Sequence, residues 1–312
     1  MPIASKSMTP RMAICFVTLF TFIGPLLGGV AVASTVGELI KIAGVTGHAA
    51  QTVTLATLAS AIVYNLITWK FGLPNSSTSS LASGLIGSGL FVIGDASVHW
   101  GIAELRHGEI TGFMKIIVGM VFSPLSGLIV GLFLIRAINK LLSRVTIKAT
   151  PILVFSQYFS VSWLAFSHGT NDAQKGMGML AMLLFACGVY PSFTVPWWVI
   201  FLCATSITLG TLCGGWKIIK TVGFGLYRIK VIHSVTDQMS SAGVVLASSL
   251  VGVPVSTTQV ATATLMGIGA GERPGHVKWG MASAIFVGWL LNIPFCIMMG
   301  ACFSAILAKI LT

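Results

Sequence analysis

Residues 167–178 read Ser-His-Gly-Thr-Asn-Asp-Ala-Gln-Lys-Gly-Met-Gly, and this polar run interrupts a long apolar stretch. Apolar sequence flanks it on both sides, at residues 152–166 and 179–189. A charged side chain at the centre of a bilayer costs about 2.5–3.5 kcal/mol on insertion scales. A carboxylate, an amine and an imidazole at that depth therefore predict a site that holds a polar solute or an ion.

The composition is that of a membrane protein. Hydrophobic residues make up 55% of the 312 residues, charged residues make up 8%, and the mean hydropathy is +0.94. Soluble domains carry about 25% charged residues. We therefore predict an all-α polytopic membrane protein. The net charge of +11 is better explained by basic residues that flank spans on the cytoplasmic side than by nucleic-acid binding. The six cysteines form no CxxC pair, so we expect neither a disulfide framework nor a metal site.

The chain repeats itself in two places. Residues 24–37 match residues 210–223 at an offset of 186, with seven of the 14 positions identical. Residues 72–79 (Gly-Leu-Pro-Asn-Ser-Ser-Thr-Ser) match residues 252–259 (Gly-Val-Pro-Val-Ser-Thr-Thr-Gln) at an offset of 180. Glycine-rich spans alone would fit ordinary helix packing. Two matches in the same order favour a duplication instead.

Duplicated halves with interrupted polar segments indicate a secondary transporter whose site lies near the membrane midplane. We predict an inverted-repeat carrier with broken or re-entrant helices. The first repeat is predicted at residues 1–139, a basic cytoplasmic loop at 140–150, and the second repeat at 151–312.

Hydroxyl side chains follow a proline in both copies of the shorter repeat. Such hydroxyls either cap the next helix or donate hydrogen bonds to an oxyanion. Because they occur twice in a duplicated membrane protein, we favour anion binding. The candidate residues are Ser76, Ser77, Thr78, Ser256, Thr257 and Thr258.

Residues 166–175, the Gly-Gly segment and residues 254–258 together resemble the inorganic phosphate transporter (PiT) family, in its bacterial branch. The resemblance implies a multi-pass carrier of the bacterial inner membrane that moves phosphate, or a metal–phosphate complex, together with protons or sodium. It implies no bound cofactor. Asn171 and Asp172 match the family's paired motif, which assigns Asn171 to phosphate and both residues to the coupling ion. The two hydroxyl clusters match the family's hairpin tips.

Two departures from the family matter. Ser79 and Gln259 stand where the family commonly has histidine, which puts proton handling at those positions in question. The family also carries the Asn/Asp motif twice, and at the offset of 186 the partner of Asn171 would fall ahead of Met1. We therefore expect weak or absent transport by residues 1–312 alone, unless an upstream fragment supplies the motif. A genuinely shorter variant is the alternative, and a homodimer is also left open.

Four further side chains have two interpretations each. Asp172 could bind a cation or carry a proton, and Lys175 at i+3 could neutralise it or attract the anion. His168 at i−4 could shuttle protons, although a packing role is the simpler interpretation. Asp237 is either a second ion ligand or the end of a loop, and the loop end is the simpler interpretation.

Two other functions remain open on the sequence alone. An intramembrane hydrolase could use His168, Asp172 and Ser256, although the chain has no Gly-x-Ser-x-Gly nucleophile motif. A sulfate permease on the same scaffold is the other alternative. A protonated phosphate can offer a proton to Asp172, whereas ionised sulfate cannot, so the aspartate favours phosphate.

Overall fold

The computed structural model describes residues 1–40, 45, 47–144, 150–214, 221, 223, 225 and 229–311, and it confirms the all-α fold class. These residues form helices joined by short connections, with one isolated bridge between Ile40 and Val98. The helices are α1 (Pro10–Leu27), α2 (Ala31–Gly37), α3 (Gly47–Phe71), α4 (Ser77–Val92), α5 (Ile102–Leu105), α6 (Gly112–Leu141), α7 (Thr150–Ala186), α8 (Trp197–Leu212), α9 (Val231–Leu250), α10 (Thr257–Glu272) and α11 (Trp279–Leu311).

Within the described ranges, four helices are long and apolar enough to cross a membrane, namely α1, α3, α6 and α11. Helix α7 has 37 residues, which at 1.5 Å per residue is about 55 Å long. That length exceeds the hydrocarbon core of about 30 Å. The polar run lies near the middle of this helix, which in a helix that spans the bilayer is the depth at which charged groups are most costly.

Two helical hairpins carry the shorter sequence repeat, and they have the same local structure. The first joins α3 to α4 and the second joins α9 to α10. Gly72 and Gly252 both have φ +69 at the end of the incoming helix, a conformation that glycine adopts without strain. Ser76 caps α4 by accepting from the amide of Ser79 at 3.1 Å, and Ser256 caps α10 by accepting from the amide of Gln259 at 3.4 Å. We call residues 72–76 and 252–256 the first and second tips.

Each hairpin packs against a helix from the other half of the chain. Helix α4 lies against α11, and α10 lies against α6. A Cβ atom at Gly87 would lie 2.0 Å from the carbonyl oxygen of Ile297, and one at Gly267 would lie 2.0 Å from that of Leu128. Glycine is therefore required at both crossings. This exchange interlocks the two repeats and supports the inverted-repeat architecture.

Some sequence predictions fall outside the described residues. Lys140 belongs to α6, but residues 145–149, with Lys148, lie outside the described part of the predicted basic loop. The second copy of the longer repeat includes residues 215–220 and 222, which also lie outside it. The proposed repeat boundaries stay predictions.

Candidate functional site

Helix α7 runs without interruption through the polar motif, and two pairs of side chains spaced i,i+4 point to different neighbours. Thr170 donates to the carbonyl oxygen of Gly24 at 2.9 Å. Gln174 donates to the carbonyl oxygen of Gly28 at 3.2 Å and accepts from the amide of Val32 at 2.8 Å. Gly28 and Val32 flank the break between α1 and α2, so Gln174 satisfies backbone groups that a broken helix would leave unpaired.

The second pair, Asn171 and Lys175, faces the second tip. Asn171 Nδ2 donates to the carbonyl oxygen of Val255 at 2.7 Å, and Lys175 Nζ donates to the same oxygen at 2.8 Å. Thr78 Oγ1, at the start of α4, donates to it at 2.8 Å. A carbonyl oxygen has two lone pairs, so three donors exceed what it can accept well. Helix α4 of the first hairpin and α7 therefore bring three hydrogen-bond donors to one acceptor on the second hairpin.

Asp172 lies beside these donors and is held by its neighbours. Its carboxylate pairs with Lys175 and, at 3.0 Å, with His168 Nδ1. Asn171 Nδ2 also donates to Asp172 Oδ1 at 2.9 Å. The side chain of Lys175 is 3% exposed and that of Asp172 is 15% exposed. The structure thus supports the interpretation of Lys175 as the neutralising partner of Asp172.

The space beside these donors is closed. A cavity of about 10 Å³ lies between α4, the second tip and α7, and Thr78, Pro254 and Lys175 are among the residues that line it. A volume of that size holds about one water molecule. The arrangement is therefore a closed one, and this cavity is too small to hold a tetrahedral oxyanion.

The hydroxyl residues predicted from the sequence have different roles in the structure. Ser76 and Ser256 cap helices, which was the alternative to anion binding, and Ser77 is exposed. Thr78 reaches the common acceptor at Val255. Thr257 Oγ1 is buried, and the described residues give it no hydrogen-bond partner. Thr258 is half-buried beside it.

The sequence analysis missed one contact to the second tip. Thr35 Oγ1 donates to the carbonyl oxygen of Gly252 at 2.7 Å, and Lys115 Nζ donates to Thr35 Oγ1 at 3.3 Å. Thr35 belongs to the longer repeat, in which it matches Thr221. Nothing in the sequence indicates that it lies beside the second tip. A lysine and a hydroxyl from the first half thus hold the backbone of the second hairpin.

Asp237 was interpreted either as a second ion ligand or as the end of a loop, and the loop end is wrong. It lies in the middle of α9 and is fully buried. The neighbouring Ser234, Ser240 and Ser241 are helical and also buried. Its neighbour Gln238 faces α7 and accepts from Ser160 Oγ at 2.7 Å and from Gln157 Nε2.

Comparisons with known proteins agree with this architecture. The model of the phosphate transporter family matches residues 1–155 and 142–300. A probable low-affinity inorganic phosphate transporter of Rhizobium meliloti is 34% identical over 310 residues, covering 97% of this chain and 88% of the relative. One of Bacillus subtilis is 33% identical over 302 residues, covering 96% and 87%. A solved structure described as the sodium-dependent phosphate transporter superposes with a TM-score of 0.85 at 21% identity, covering 99% of this chain and 92% of that one.

The interlocked hairpins and the buried polar centre define the class of the protein, a multi-pass membrane carrier built from inverted repeats. The chain belongs to the phosphate transporter family. The resemblance drawn from the sequence is thereby confirmed. The interpretation as an intramembrane hydrolase is wrong, since the family consists of transporters and not of enzymes.

Proposed function

We propose that this transporter binds inorganic phosphate between the two tips and the middle of α7, and carries it together with a cation. The observation that carries the proposal is the convergence of Thr78, Asn171 and Lys175 on the carbonyl oxygen of Val255. An ammonium, an amide and a hydroxyl are donors that a phosphate oxygen accepts well. The hydroxyl of Thr257 would complete the set.

The closed arrangement suggests how binding proceeds. In the absence of phosphate, the three donors form hydrogen bonds with the carbonyl oxygen of Val255. When the second tip withdraws, the three donors lose that acceptor and a phosphate oxygen takes its place. The exchange keeps each buried donor paired in both states, which avoids the cost of about 1–3 kcal/mol for each orphaned group.

Charge balance supports cation coupling. Lys175 is the one described lysine or arginine in contact with Asp172, and its charge is cancelled by that carboxylate. A phosphate anion would therefore enter a centre with little net positive charge, where burial of an uncompensated anion is costly. A co-transported proton, sodium ion or divalent metal carried with phosphate offsets that cost.

The test is phosphate counterflow in liposomes that contain only the purified chain. Labelled phosphate should accumulate against unlabelled internal phosphate in a saturable way, in contrast to the weak or absent transport that the single Asn/Asp motif led us to expect. Sulfate should compete weakly. Thr78→Val removes one donor, so the apparent phosphate affinity should fall by about 1–3 kcal/mol. Thr205→Val is the matched control, because its hydroxyl donates only within α8, to the carbonyl oxygen of Phe201.

Three results would count against the proposal. A wild-type chain without saturable phosphate exchange would contradict the function itself. Equal competition by sulfate would favour the sulfate permease. An unchanged affinity in Thr78→Val would remove this residue from the binding site.

A further inference from the structure

Helix α9 carries a stripe of buried polar side chains that the proposed phosphate site does not use. Ser234, Asp237, Ser240 and Ser241 are spaced i−3, i, i+3 and i+4, so they share one face of the helix. All four are 0–2% exposed. Both oxygens of Asp237 and all three hydroxyls lack a hydrogen-bond partner among the described residues. Five buried polar atoms without partners on one helix face are uncommon in a folded protein.

The other acidic groups of the chain are exposed or paired. Glu38, Asp95 and Glu109 are exposed. Glu104 pairs with His99 at 3.1 Å, and Asp172 pairs with His168 and Lys175. Glu272 pairs with His233 at 2.8 Å and with Lys230 at 3.4 Å. Asp237 is therefore the one carboxylate of the described residues that is buried without an ion pair.

A buried ionised carboxylate without a partner is strongly destabilising. It persists only if a positive charge reaches it. Met1 is half-buried, and its amine forms no ion pair with Asp237 within 4.0 Å in the described structure. The hydroxyls beside the carboxylate are neutral oxygen ligands. Carboxylate and hydroxyl oxygens together suit a small cation, and they can also hold a proton in a hydrogen-bonded row.

We propose that Asp237, with Ser234, Ser240 and Ser241, forms the site of the co-transported monovalent cation. This inference rests on the proposed function and refines it, because it assigns the coupling cation to α9 and not to Asp172. Asp172 already has the ammonium of Lys175 as its counter-ion, whereas Asp237 has no ion pair among the described residues. The positive charge is either a sodium ion or a proton, and the experiment below separates them.

The helix that carries this stripe also connects it to the phosphate site. Ser249, further along α9, donates to Asn171 Oδ1 at 3.4 Å, and the second tip follows directly. Ser249 is twelve positions after Asp237 on the helix, a distance of roughly 18 Å along its axis. Next to Asp237, Gln238 fixes α9 to α7 through Gln157 and Ser160. A cation at Asp237 can thus bias the position of the tip through one rigid helix, as coupling requires.

The test compares wild type with Asp237→Asn, which removes the charge at nearly constant volume, and with Asp95→Asn as the matched control on an exposed carboxylate. Thermal unfolding in detergent is measured with sodium or choline chloride at constant ionic strength, and at several pH values. A bound cation stabilises the folded state. The wild-type midpoint should rise with sodium if the cation is sodium, or with falling pH if it is a proton. Asp95→Asn should keep that response, and Asp237→Asn should lose it.

Asp237→Asn should also unfold at a temperature no lower than that of the cation-free wild type, because an unpaired buried charge has been removed. Phosphate counterflow should become independent of sodium and pH in this variant. A response to sodium or pH equal to that of wild type would overturn the proposal.

A third experiment tests whether the cation response comes from the Asp237 carboxylate or from the amine of Met1. In a chain extended at its N-terminus the amine is moved away from α9, and the cation response should remain. Loss of the response in the extended chain would assign it to the amine and refute the site. If wild type binds the cation but does not exchange phosphate, the proposed function fails while this site stands.

Discussion

The short polar motif on α7 that contains Asn171, Asp172 and Lys175 has several structural roles. Asn171 and Lys175 donate to the second tip, and Asp172 holds Lys175 in place. Thr170 and Gln174, on another face, pair the backbone at the break between α1 and α2. A substitution in the motif therefore affects both stability and transport, and an experiment has to separate the two.

Replacing Asp172 with Asn separates these effects when a second variant accompanies it. Asp172→Asn leaves the buried ammonium of Lys175 without its counter-ion, so we expect a loss of about 3–5 kcal/mol of stability together with loss of phosphate exchange. Asp172→Asn with Lys175→Met removes both charges and should regain most of the stability without exchange. The measurements are unfolding in detergent and counterflow in liposomes. Exchange by the double variant at the wild-type rate would show that neither charge is needed for transport.

At the scale of helices, the packing of each hairpin on the opposite half explains where glycine is required. The crossings at Gly87 and Gly267 are equivalent under the sequence repeat, and so are the neighbouring contacts. A Cβ atom at Gly300 would lie 2.5 Å from the carbonyl oxygen of Gly84, and one at Gly131 would lie 2.6 Å from that of Thr264. The crossings of α4 with α11 and of α6 with α10 are thus built in the same way.

Gly87→Ala tests this packing. The added methyl group would overlap the backbone of α11, and we expect the unfolding free energy to fall by about 1–3 kcal/mol. Gly243→Ala is the matched control, because nothing lies within 4 Å of a Cβ atom there. In that open helical position alanine should be neutral or stabilise by up to about 1 kcal/mol. Equal stability of the two variants would mean that α4 and α11 are not in close contact.

Sequence reasoning predicted the elements and their duplication better than their contacts. The matched tips were visible because proline, glycine and hydroxyl residues recur in order at a fixed offset. The role of Ser76 and Ser256 as caps was one of two stated alternatives, and only hydrogen-bond geometry separates them. The loop end favoured for Asp237 was wrong, because this residue lies on a helix whose polar face is buried by other helices. Local sequence does not reveal that burial.

At the scale of the whole molecule, the orientation in the membrane follows from the basic residues. Short loops rich in lysine and arginine stay on the cytoplasmic side. Arg144 lies just after α6, next to the predicted basic loop. Arg144→Cys in a chain without other cysteines should therefore resist a membrane-impermeant thiol reagent added outside intact cells. It should react once the membrane is permeabilised, and labelling from the outside would reverse the topology.

The closed centre makes a second prediction for the whole molecule, since transport requires the two hairpins to separate. Thr78 and Val255 contact each other across the tips, with 2.8 Å between Oγ1 and the carbonyl oxygen. Thr78→Cys, in a chain whose six native cysteines are replaced, should react with a small thiol reagent more slowly than Ser77→Cys, because Thr78 is 3% exposed whereas Ser77 is exposed. Phosphate should raise the rate at position 78, because bound phosphate takes the place of the Val255 carbonyl oxygen and keeps the tips apart. The rate at position 77 should not change with phosphate, which makes Ser77→Cys the matched control. A rate at position 78 that does not respond to phosphate would show that the tips stay together and that phosphate uses another path.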